Sequence, residues 1–178
     1  MAKPLKVKKV SSQDPPEEAA VRILRTRLKE FYSHWPDPDT PATPEIVHNT
    51  RISGKRLRYS AESLRILYRD RLALLVELLR KEQDLMGKFQ DAIYQRTAIE
   101  TELARRVRRR ASEAEQEALG RLIAGYREKE ESIYEEVALV WRGVCSKKFR
   151  ASLKSMISKA ERAQPETNQR PLEGRPLA

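Results

Sequence analysis

Apolar positions recur along most of this chain at intervals of three and four residues, the spacing that lines one face of an α-helix. Val21, Leu24, Leu28, Phe31 and Trp35 form a first seam that begins near Glu17 and stops at Pro36. The proline-rich PDPDTPATP follows as a stiff connection, in which Thr43 can cap a second helix with Pro44 at its first position and Glu45 at its positive end. That helix is expected to reach about Arg69 with Ile46, Thr50, Ser53, Leu57, Ala61, Leu64 and Tyr68 facing a core. Asp70 can cap a third, although one continuous bent rod also fits. The third seam runs through Leu75, Leu79, Met86, Phe89 and Ile93 and extends by Leu103 and Val107 into ARRVRRR. Gly87 is costly inside a helix, by about 1 kcal/mol relative to Ala, so a close contact is expected there. Ser112 followed by Glu115 fits a capping box. The fourth helix then carries Leu119, Ile123, Tyr126, Ile133, Val137, Val140 and Val144, and Gly143 and Ser146 mark its end. A last helix holds Phe149, Leu153, Met156 and Ile157, and no segment alternates as a strand does. The pattern predicts an all-α antiparallel bundle of four long helices plus a shorter C-terminal one. The domain spans residues 17–164, between a basic tail (1–16) and a Pro-rich tail (165–178) without periodicity, both expected to be disordered.

Composition narrows the partner. With 36 Lys and Arg against 26 Asp and Glu, the 178-residue chain carries a net charge of +10, which favours an acidic ligand. A single cysteine, Cys145, excludes an internal disulfide framework and reads as a packed thiol. The basic start has no apolar h-region, and the apolar run Leu72–Leu79 is too short to cross a bilayer, so a soluble cytoplasmic protein is expected.

The charge is not spread evenly. His48, Arg51, Lys55 and Arg58 stand three, four and three residues apart and share an arc of about 80° on one helix. From His48 to Arg69 there are six cations (Arg51, Lys55, Arg56, Arg58, Arg65, Arg69) and one anion, Glu62. Such a row must be solvated, paired or neutralised by ligand. It suits a linear polyanion whose phosphates run along the helix, with Arg forks and a Lys point charge as clamps. A solvated basic face is the plainer reading. His48 is open between a structural histidine and a phosphate contact.

This helix resembles the signature of the CHAD family, the conserved histidine α-helical domain: His48, Arg51, then Lys55, Arg56, Leu57, Arg58 and Tyr59, followed by Glu62. Downstream, Gln83, Asp84, Met86, Gly87 and Asp91 are similar to the family's second pattern, with Met in place of Leu. Trp141 and the segment FRASLKSMI resemble its closing helices, extending the likeness over roughly residues 17–160. The resemblance implies a helical bundle that binds inorganic polyphosphate through basic side chains, without catalysis. The expected ligand-binding residues are His48, Arg51, Lys55, Arg56 and Arg58, with Lys88 from a facing helix, and Asp91 is expected to hold one of the arginines in position. Typical members carry two such bundles in tandem, whereas this chain has one His-x-x-Arg motif. A two-fold homodimer with the cationic helices face to face would supply the second.

Other chemistry finds less support. The triphosphate tunnel enzymes to which such domains can be fused carry a Glu-x-Glu-x-Lys strand. The nearest string here, Glu128 to Ser132, lacks the lysine and falls on a helix. There is no Gly-rich phosphate loop, paired-His metal motif or Ser or Cys with a partner base, so no cofactor, metal or enzymatic activity is expected. Arg105, Arg106, Arg108, Arg109 and Arg110 suggest nucleic acid, but lack interleaved aromatics and read better as a solvated helix end. Docking of an acidic protein on the basic face is the principal alternative.

Overall fold

A computed structural model describes residues 3–8 and 10–158, and every regular element among them is helical. The helices are α1 (Pro16–Ser33), α2 (Pro44–Ser63), α3 (Arg65–Tyr68), α4 (Ala73–Arg108), α5 (Glu113–Cys145) and α6 (Lys147–Ile157), with a 3-10 turn at Arg69–Leu72. This is the expected all-α bundle, in which α1, α2, α4 and α5 form the long members and α6 closes the gap between α5 and α1. The expected C-terminal tail, 165–178, lies outside the described residues. The described residues ahead of Pro16 carry no helix, yet the carbonyl of Leu5 accepts from Arg27 at 3.1 Å.

Caps form where the sequence places them. The Thr43 side chain accepts from the Ile46 amide, and Ser112 and Glu115 complete a reciprocal capping box. Asp70 caps nothing: it lies inside the 3-10 turn, and α4 starts at Ala73 without a side-chain cap. The second and third long helices are therefore separate. Their junction turns at Arg69, whose φ of 47° is left-handed, a conformation with a steric cost for any side chain. Gly143 breaks nothing, because α5 continues to Cys145 and Ser146 then caps α6.

The core is centred on Phe31, Trp35, Leu57, Tyr68, Met86, Phe89 and Trp141. Trp141 stacks on Trp35 at 5.5 Å, meets Phe31 edge-on at 5.1 Å and donates its indole N–H to the Trp35 carbonyl at 3.0 Å. Val140, expected inside, instead points outward and leaves the core position to its neighbour Trp141. The aromatic cluster ties the end of α1 to α5.

Candidate functional site: the groove between α2 and α4

The antiparallel register of α2 and α4 is fixed by a ladder of polar contacts. From one end to the other, Gln90 Nε2 donates to the Pro44 carbonyl at 3.0 Å, and Arg51 Nε donates to the Gln83 carbonyl at 3.1 Å. Arg58 Nε then donates to Gln83 Oε1 at 3.1 Å, and Arg80 Nη2 to Glu62 Oε1 at 2.8 Å. Arg80, Gln83, Gly87 and Gln90 repeat at three, four and three residues, the same spacing as the cation row on α2. Two helices with matched spacing run side by side as two rails.

Gly87 now has its reason. A Cβ at this position would stand 3.3 Å from Arg51 Nη2 and 3.5 Å from its Nε, so the missing side chain makes room for a guanidinium laid flat on α4. Arg51 uses Nε on the backbone of Gln83, and Arg58 uses Nε on the side chain of the same residue. One glutamine, buried in the core face of α4, thereby orients two arginines of the row. Arg58 also lies 4.5 Å above the Tyr59 ring and donates through Nη1 to Glu62 at 3.1 Å. Lys55 and His48, both half-buried, make no hydrogen bond or ion pair with the described residues.

The expected ligand set divides. His48, Arg51, Lys55 and Arg58 come together along one edge of α2. Arg56 does not join them: it turns to α1, where its Nη1 lies 2.5 Å from Glu30 Oε1. Glu30 is only 1% exposed and takes Arg27 on its other oxygen, also at 2.5 Å, so a buried carboxylate holds Arg56 inside the α1–α2 packing. Lys88 is exposed on α4 but stands about 100° round the helix from Gly87, away from the α2 contact. Asp91 is exposed and forms no ion pair with the row. The positioning role expected of it belongs to Gln83 and Gly87.

Arg80 joins the site without having been expected there, and Glu62, the one anion of the stretch, gains a partner on each side. Arg80 faces α2 across the groove, and Glu62 sits between Arg80 and Arg58. Partial burial alone would raise the Glu62 pKa. Hydrogen bonds from Arg80 and Arg58 outweigh it and hold the carboxyl below its usual range. The 3-4-3 repeat on α4, matching that on α2, was the available signal for Arg80. Elsewhere, the arginine run at the end of α4 is partly neutralised: Arg105 and Arg106 both bond Glu102, and Arg106 also reaches Glu115 at 2.9 Å. No helix among the described residues is long and apolar enough to cross a membrane, and no three of their His, Cys, Asp or Glu side chains come together as a metal site.

The arrangement is that of a helical bundle with a row of cations along the seam between two antiparallel helices. The chain matches the CHAD domain model over residues 2–100, more than half its length, and it belongs to the CHAD domain family. Comparison with curated proteins and with solved structures yields no match. The family match takes in α1, α2 and most of α4, both rails included. It ends before Trp141 and the FRASLKSMI segment, so the likeness of those residues to the family's closing helices lies outside it.

Proposed function

We propose that the α2–α4 groove binds inorganic polyphosphate, or a linear polyanion of the same kind, without acting on it chemically. The observation that carries this reading is the double use of Gln83: it pins Arg51 and Arg58 through their Nε atoms, so that the Nη donors of Arg51 and Nη2 of Arg58 are left without a hydrogen bond among the described residues while Nη1 of Arg58 bonds Glu62. A guanidinium fixed before binding loses less freedom when a phosphate arrives. Lys55 lies between them with its ammonium uncommitted. The span from His48 to Arg58 is about 15 Å, room for several consecutive phosphates. Arg80 extends the cationic track at the Glu62 end, and His48 closes the other. Arg56 is structural in this reading, and Lys88 adds only long-range attraction.

Lysine footprinting tests the placement. Polyphosphate should protect Lys55 from acetylation while the exposed Lys147 and Lys148 on α6 keep reacting. Equal modification of Lys55 with and without polyphosphate would put the ligand elsewhere.

A further inference from the structure

Along the outer half of the α4–α5 hairpin, from about Tyr94 to Ser132, every ion pair among the described residues lies within α4 or α5 or joins the two. Its register is set by Arg96 to Glu130 at 2.7 Å, Arg127 to Glu100 at 3.1 Å and Arg106 to Glu115 at 2.9 Å. Along this stretch of α5 only Ile123 is buried; Leu119 and Tyr126 are half-covered, and Leu122 is 52% exposed. Two helices without a third layer leave an apolar seam open on its flanks. Isolated helix pairs seldom suffice for stability.

The hairpin is also electrically polarised. Arg108, Arg109 and Arg110 at its tip make no ion pair with the described residues, and neither do Glu128, Glu131, Glu135 and Glu136 further down α5. Gly125 lies within about 60° of Leu122 on the helix surface, and a Cβ there would meet nothing within 4 Å. A helix-interior glycine with open space around it costs about 0.5–1 kcal/mol relative to Ala and gains nothing within the single chain.

We propose that a second copy of this chain covers the flank, with the two α5 helices antiparallel about a two-fold axis between Leu122 and Gly125. Each Leu122 then sits over the partner's Gly125, where no side chain obstructs it. The same register brings Glu136 of one copy, which shares the Leu122–Gly125 face, towards Arg109 and Arg110 of the other, and symmetry repeats every contact. The two bundles are carried to opposite ends, about 40 Å apart, so their α2 rows do not face each other. This differs from the face-to-face dimer expected from the sequence and does not depend on polyphosphate binding.

Sedimentation and small-angle scattering of the full chain test it. The wild type should be an elongated dimer, twice the 20.6 kDa chain mass. Leu122→Glu should give a monomer with unchanged helical circular dichroism. Reversing Arg109 and Arg110 to Glu should weaken the dimer at least tenfold, and adding Glu136→Arg should restore most of it. A wild type that stays monomeric up to millimolar concentration, a dimer indifferent to Leu122→Glu, a compact dimer, or failure of the charge swap to rescue would each overturn the proposal.

Discussion

If the groove takes polyphosphate as proposed, Glu62 competes with that ligand. Its carboxylate takes the Nη donors of Arg58 and Arg80 at 3.1 and 2.8 Å, the place and charge that a phosphate oxygen would take. Glu62→Gln keeps the shape, removes the charge and should tighten polyphosphate binding several-fold in calorimetric titration; weaker binding would mean that Glu62 orients the arginines rather than occupying them. Gly87→Ala separates binding from folding. Its helix gain is about 1 kcal/mol. The 3.3 Å approach to Arg51 is to the far end of a flexible side chain, which can move aside. Unfolding by urea should therefore show equal or greater stability, while polyphosphate affinity falls as Arg51 leaves its seat. Glu30 works the other way. Removing a buried carboxylate shared by Arg27 and Arg56 should cost about 3 kcal/mol, with little change in affinity per folded molecule.

Glu82 carries a pH dependence of its own. It is 3% exposed, neither carboxyl oxygen has a partner, and burial pushes its pKa well above the ordinary carboxyl range. The folded state therefore binds this proton more tightly than the unfolded chain does. That contribution is complete below the ordinary carboxyl pKa, and stability declines as pH rises from there towards the raised folded value. Glu82→Gln, neutral throughout, should gain stability relative to wild type between about pH 5 and pH 8 in urea unfolding. A constant difference across that range would mean that Glu82 is already ionised in the fold.

At the scale of elements, how much the sequence disclosed depends on whether a signal was local. The caps at Thr43 and Ser112 and the seams of the long helices follow from spacing and side-chain chemistry within a few residues. The cation row on α2 was legible for the same reason. What was not legible needed a second helix. Arg56 bonds the buried Glu30 on α1 whereas Arg58 bonds Gln83 on α4, and nothing in α2 announces the difference. Asp91 looked like a positioning residue because it is acidic and sits in a motif; the work falls to Gln83, whose two acceptors serve two arginines only once α2 and α4 are in register. Asp70 is a good capping residue in a segment that turns one residue earlier, at Arg69. At α5, Val140 and Trp141 both fit an apolar stripe, and the pocket left by Phe31 and Trp35 selects the larger. The caps are testable in place: Thr43→Ala should cost about 1 kcal/mol of stability in thermal unfolding and fray the helix end next to His48.

For the whole molecule, the charge excess matters through where it is fixed. Tip arginines of the hairpin and row cations of α2 contribute alike to net charge, but in the row Arg51 and Arg58 are held by a second helix, whereas Arg108, Arg109 and Arg110 form no ion pair with the described residues. Binding through several fixed cations should weaken with salt, with log affinity falling linearly in log salt concentration, as for nucleic acids. Long polyphosphate should displace duplex DNA readily and be displaced by it poorly. The reverse order would favour the arginine run. The most direct measurement compares two triple variants for retention on immobilised polyphosphate: Arg51→Ala, Lys55→Ala, Arg58→Ala in the groove, and Arg108→Ala, Arg109→Ala, Arg110→Ala at the hairpin tip. Equal charge is removed in each. The groove variant should lose retention while keeping its helical circular dichroism, and the tip variant should retain nearly as the wild type does; retention by the groove variant, or its loss in the tip variant, would contradict the account.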